Sequence, residues 1–187
     1  MKKLIDLLNS IRPMTPALKA YLHNHVKIIN IKKRKTLIRP GNPCDHMYFI
    51  EWGLLRGSKT LGSKEANLWF MKEGDVMTSV ISYYKARTSA EYIYAIEDSR
   101  LFSLTKEQMD HAKRAYPEFA YIVLVLTEQY YVLAEERLDL LRRKNAADRY
   151  ELFRQLYPWA EDRIAAKHIA SYLTIAMETL SRIKKNR

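Results

Sequence analysis

From Pro117 to about Asn145 the chain runs for about 27 residues without a glycine or a further proline, enough for roughly 40 Å of helix at 1.5 Å per residue. Phe119, Val123, Leu126, Tyr130, Leu133 and Leu140 recur along it in alternating steps of four and three, with Arg137 in the one slot that breaks the pattern. A helix this long, carrying a heptad seam, exceeds what a small domain needs for its own core. The spacing therefore predicts a dimer seam in which Tyr130 and Arg137 tune register; the alternative is a long core helix packed on the rest of the chain.

Upstream the texture is different. Short β-like runs, Thr36-Leu37-Ile38, Met47 to Trp52, Leu54 to Lys59, Asn67 to Phe70, Tyr92 to Ile96 and Leu101 to Leu104, are separated by Pro40-Gly41-Asn42-Pro43, Gly53, Gly62-Ser63 and Gly74-Asp75. Strands at this spacing predict a small β-roll or jelly roll. Helical signals flank it. Thr15-Pro16 reads as N-cap and first helical residue, and Thr105 with Gln108 three residues on reads as a capping box. The fold expected is α+β: an N-terminal roll flanked by helices (1–116), a long dimerisation helix (117–145) and a small helical domain (146–187).

Composition removes several classes of function. With 187 residues, 48% of them apolar, the chain can bury a real core. One cysteine, Cys44, excludes a disulfide framework, a four-cysteine iron–sulfur cluster and a cysteine-built zinc site. The basic start Met1-Lys2-Lys3-Leu4 is followed by Asp6, Asn9 and Arg12 rather than by a signal peptide's apolar core. The longest apolar stretch, Phe119 to Leu126, is far short of a membrane span. A cytoplasmic protein with no membrane partner is expected. The five histidines are scattered, and no Ser-His-Asp order, phosphate loop or catalytic carboxylate pair stands out, so no enzyme, metal site or cofactor is expected.

The formal charge of +11 is unevenly placed: +9 over residues 1–40, −4 over 41–141 and +6 over 142–187. Basic ends around an acidic middle suggest nucleic acid at part of the surface, since Lys and Arg supply phosphate affinity. Arg163 to Arg187 is the most specific stretch. Ile169, Ala170 and Leu173 give a short helix, Thr174-Ile175-Ala176 a tight turn, and Leu180 and Ile183 the inner stripe of a second helix, the offsets a helix-turn-helix requires. Met177, Glu178, Ser181, Arg182 and Lys185 would face outward. Arg182 can fork onto guanine and Glu178 can accept from cytosine; their four-residue separation also allows a plain intrahelical ion pair. Lys167, His168 and Ser171 would seat the motif on the DNA backbone, joined by Lys184, Lys185 and Arg187.

These residues resemble the helix-turn-helix of the Crp/Fnr family of bacterial transcription regulators, and the upstream strands resemble that family's cyclic-nucleotide-binding-type roll. Arg39-Pro40-Gly41, Met47 to Gly53 with Leu54, Gly74-Asp75, Ser89-Ala90 and the closing Met177 to Arg182 carry the likeness, from about residue 14 to the end. The resemblance implies a homodimer on double-stranded DNA, with a small-molecule effector in the roll and RNA polymerase as a further partner. It also places the effector pocket at Gly74, Thr78, Ser79, Arg87, Thr88 and Ser89. Two departures matter. The glutamate that would accept from a ribose hydroxyl falls on Ser79 and the preceding glycine on Thr78. The phosphate-binding arginine falls on Thr88, with Arg87 one residue early and so on the other face of a strand. Cyclic AMP is therefore not expected. The usual turn glycine is Thr174, and no β-hairpin wing follows the second helix. The other reading is a ligand-binding or protein-interaction module whose vestigial helix-turn-helix does not read DNA.

Overall fold

The computed structural model describes residues 1–62 and 64–186, so Ser63 and Arg187 lie outside the described residues. Helices α1 (Lys2–Ile11) and α2 (Pro16–His25) precede strands β1 (Lys27–Ile31), β2 (Thr36–Ile38), β3 (His46–Trp52), β4 (Leu54–Leu61), β5 (Lys64–Lys72) and β6 (Val76–Met77). Helix α3 (Val80–Lys85), β7 (Tyr92–Ala95) and β8 (Ser99–Thr105) complete the roll. Then follow α4 (Lys106–Ala115), α5 (Pro117–Arg142), α6 (Ala146–Leu156), α7 (Ala160–Arg163), α8 (Ala166–Tyr172) and α9 (Met177–Lys185). The strands form two four-stranded sheets, ordered β1-β8-β3-β6 and β2-β7-β4-β5. This is the α+β roll, long helix and small helical region that the strand and helix signals predict.

Local chemistry explains the boundaries. Thr15 Oγ1 accepts from the Leu18 amide at 3.2 Å to cap α2. Thr105 and Gln108 exchange side-chain to backbone bonds of 2.9 and 3.1 Å, closing the capping box that opens α4. The β3–β4 turn needs Gly53: its φ is +109°, and a Cβ there would run into the Ser99 side chain and come within 2.7 Å of the Asp98 carbonyl.

The chain divides into two compact units, Met1–Gly57 with Phe70–Glu128, and Ser58–Trp69 with Gln129–Arg187. The division falls inside α5 and inside the β4–β5 hairpin. In the first unit, Leu4 and Leu8 of α1, Leu18 and Leu22 of α2, and Met109 and Ala112 of α4 pack with Phe49 and Phe102 from the first sheet. Each of these leucine, methionine and phenylalanine side chains contributes about 1.5–3 kcal/mol by leaving water. In the second, Leu140, Tyr150, Phe153, Ile169, Tyr172, Leu173 and Leu180 are buried.

Along helix α5 the expected seam residues divide. Phe119 is buried, and Val123 and Leu126 pack beside it in the first unit's core; Leu140 is fully buried in the second. Of the predicted seam residues only Leu133, at 42%, is exposed, with Tyr130 half-buried. The large apolar residues that α5 leaves to solvent are Tyr121, Leu124, Tyr131, Val132, Leu133 and Leu138. The run Phe119 to Leu126 is apolar on nearly every face, so its period does not choose which face turns inward.

Candidate nucleic-acid interface and sensor pocket

Helices α8 and α9 are joined by residues 173–176 in a left-handed turn. Thr174 has φ +55°, the conformation glycine usually supplies. The turn is held from both sides. The Ile175 amide bonds the Ala170 carbonyl at 3.0 Å, and Arg149 of α6 donates to the Leu173 carbonyl at 2.9 Å and to Thr174 Oγ1 at 2.7 Å. A threonine can therefore occupy the glycine position because its hydroxyl gains a charged donor. In the same unit Phe153, Tyr157 and Tyr172 pack in tilted and edge-to-face pairs with ring centroids 5.2–5.9 Å apart.

Of the residues expected to face bases, Met177, Glu178, Ser181 and Arg182 are all exposed, as is Lys185. Glu178 and Arg182 do not form the intrahelical ion pair that their spacing allows. Lys184 differs. Its ammonium donates to Glu161 at 2.8 Å, and Glu161 also accepts from Arg154 at 2.6 Å and from the Tyr150 hydroxyl. Burial works to raise the Glu161 carboxyl, but bonds from Lys184, Tyr150 and Arg154 outweigh it and hold it at about 2. Lys184 thus belongs to a surface ion cluster centred on Glu161. On α8, Lys167 is exposed, but His168 and Ser171 face the tip of the β4–β5 hairpin, where Asn67 and Glu65 take their hydrogen bonds.

The pocket segment is closed on itself. Gly74 lies in a tight turn at φ +91°, its amide bonded to the Ile50 carbonyl at 2.9 Å. Thr78, Ser79 and Ser89 are all buried. Ser79 Oγ and Ser89 Oγ bond each other at 3.0 Å, and Ser89 Oγ accepts from the Glu91 amide. Thr78 Oγ1 donates to the His46 carbonyl, and Ser82, a residue the sequence reading did not single out, accepts from the Cys44 amide. Arg87 and Thr88, by contrast, are exposed. The buried cation of this unit is one the sequence reading missed: Arg56 of β4, 9% exposed, with its guanidinium 4.6 Å over the Tyr94 ring. Nothing in its local pattern distinguishes it from a surface strand arginine. On α3, Val80, Ile81 and Tyr84 are each more than half exposed.

Comparison with known proteins agrees with this geometry. Residues 28–116 match the family model of the cyclic nucleotide-binding domain. No curated protein matches the sequence. Among solved structures, FixK2 from Bradyrhizobium japonicum superposes with a TM-score of 0.73 at 20% identity, over 86% of this chain and 83% of that one. CLP from Xanthomonas campestris, described as a c-di-GMP responsive global regulator, gives 0.74 at 14% identity, over 92% and 91%. The catabolite activator protein of Thermus thermophilus gives 0.59 at 22% identity, over 96% and 85%.

Proposed function

From a chain whose residues 28–116 form a cyclic nucleotide-binding domain and whose fold is that of the Crp/Fnr transcription regulators, we infer a homodimeric, cytoplasmic DNA-binding regulator whose effector is not cyclic AMP. One observation carries the reading: the Thr174 turn presents α9 with Met177, Glu178, Ser181, Arg182 and Lys185 exposed, and leaves the Glu178 and Arg182 side chains unpaired. A recognition helix enters the major groove with such a face, where Arg forks onto guanine and Glu accepts from cytosine. Lys167 and Lys185 supply phosphate contacts. A second copy of the chain covers the exposed apolar residues Tyr121, Leu124, Tyr131, Val132, Leu133 and Leu138, on a helix long enough for a two-helix seam.

The pocket argues against a cyclic nucleotide. Recognition of a cyclic phosphate needs a charged donor, and recognition of a ribose hydroxyl needs an acceptor. Here the corresponding hydroxyls of Ser79 and Ser89 satisfy each other, and Arg87 is on the surface.

Titration of salt against affinity for a random-sequence DNA duplex pool tests the DNA reading. Affinity is expected to fall steeply between low and moderate salt, and a flat response sinks it. Once a preferred sequence is selected from that pool, Arg182→Ala is expected to weaken its binding by roughly 10- to 100-fold. Unchanged binding by that variant favours the interaction-module reading, in which the helix-turn-helix does not read DNA.

A further inference from the structure

We propose that the tip of the β4–β5 hairpin is a latch that competes with DNA for helix α8; the inference rests on the DNA-binding reading above. Residues 58–69 belong to the same compact unit as the helices that follow residue 129. Strand β5 is the edge of its sheet, and at its tip the main chain pairs with side chains of α8. Ser171 Oγ accepts from the Asn67 amide at 3.0 Å and donates to the Glu65 carbonyl at 3.0 Å. Asn67, only 3% exposed, donates through Nδ2 to the His168 carbonyl at 3.1 Å and lies 3.4 Å from His168 Nδ1. Arg137 of α5 donates to the Asn67 carbonyl at 3.3 Å, and its guanidinium lies 4.6 Å from the Tyr172 ring.

The conflict is one of atoms. Helix α8 is the element that crosses the phosphate backbone in a helix-turn-helix, and serine hydroxyls and histidines are backbone-contact groups. A hydroxyl has one proton, and Ser171 gives it to Glu65. A buried carboxamide is costly to leave unpaired, so Asn67 resists release of His168. With the hairpin docked, α9 stays exposed while two of the side chains that would seat the motif are occupied. DNA that uses them must first detach the hairpin.

Asn67→Ala and the isosteric Asn67→Asp, which sets a carboxylate against the His168 carbonyl, both release the latch. Each is expected to bind a labelled random-sequence duplex pool at low salt about tenfold more tightly than the parent chain. Hydrogen exchange is expected to show faster exchange of the α8 amides in both variants. Binding equal to or weaker than the parent's, or unchanged α8 exchange, overturns the latch while the parent's own binding keeps the DNA reading intact. Failure of parent and variants alike to bind the pool overturns the DNA reading and the latch with it.

Discussion

The pocket segment around residues 74–91 and the helix-turn-helix settle their polar groups in opposite ways. In the pocket, neutral hydroxyls of Thr78, Ser79, Ser82 and Ser89 bond one another and nearby main chain, and the arginine lies outside. In the helix-turn-helix unit the polar groups are charged, and they divide. Glu161 is held between Arg154 and Lys184, whereas Glu178, Arg182 and Lys185 face solvent. A neutral closed network has nothing to offer an anion and little sensitivity to pH or salt. A charged set split into a held half and a free half holds its own fold with one and leaves the other for a partner. On this contrast, the two regions differ in how much of their polarity is already satisfied within the chain.

The largest expected effect falls on the held half. Glu161 has a folded pKa of about 2 against an unfolded value of 4.5, so its contribution is fully present above 4.5 and is lost as pH falls through about 2. Solvent screening keeps that contribution to about 2–3 kcal/mol. Denaturant unfolding of the helical region between pH 6 and 2 is expected to show this loss, and Glu161→Gln to flatten it. The neutral hydroxyl network contributes nothing over the same range. An acid profile unaltered by Glu161→Gln would break the contrast.

How much of this was legible in the sequence depended on range. The capping box at Thr105 rests on contacts within three residues, and its residues announce it; the strands pair with distant partners, but their composition and the turn residues between them mark where they lie. Helix α1 carries Leu4 and Leu8 at helical spacing, but its basic start had been weighed only as a signal peptide. Helix α3, with its valine, isoleucine and tyrosines, has a strand's composition; local propensity lost to the surrounding roll. On α5 an almost wholly apolar segment leaves the inward face to be chosen by partners distant in sequence, so its spacing alone does not say which apolar residues stay exposed. The contacts that qualify the DNA-facing set are non-local too. Asn67 lies 101 positions from His168, and Lys184 reaches Glu161 across the turn, so neither pairing leaves a spacing to read.

A smaller effect tests the neutral side. Ser89→Ala removes the hydroxyl partner of buried Ser79, at a cost of about 1 kcal/mol, and Ser79→Ala costs less because Ser89 keeps its two bonds to the Glu91 backbone. The double variant should lose less than the sum, with a coupling of about 0.5–1 kcal/mol that is the same at low and high salt. Additivity, or a coupling that salt removes, would mean that the two hydroxyls do not depend on each other as their 3.0 Å contact implies.

The smallest effect in the parent chain is also the most informative about the turn. Thr174→Gly removes the left-handed strain on a β-branched residue, worth about 1 kcal/mol, and also removes the hydroxyl that accepts from Arg149. A partly exposed bond to a charged donor is worth about as much. The two changes oppose each other, so the parent's stability should move by less than about 0.5 kcal/mol. In an Arg149→Ala background the hydroxyl has already lost its donor, and only the relief of strain remains. There the same Thr174→Gly should stabilise by about 1 kcal/mol, measured by denaturant unfolding of all four chains of the cycle. If glycine stabilises equally in both backgrounds, Arg149 does not compensate for the threonine, and the turn tolerates Thr174 for reasons other than this bond.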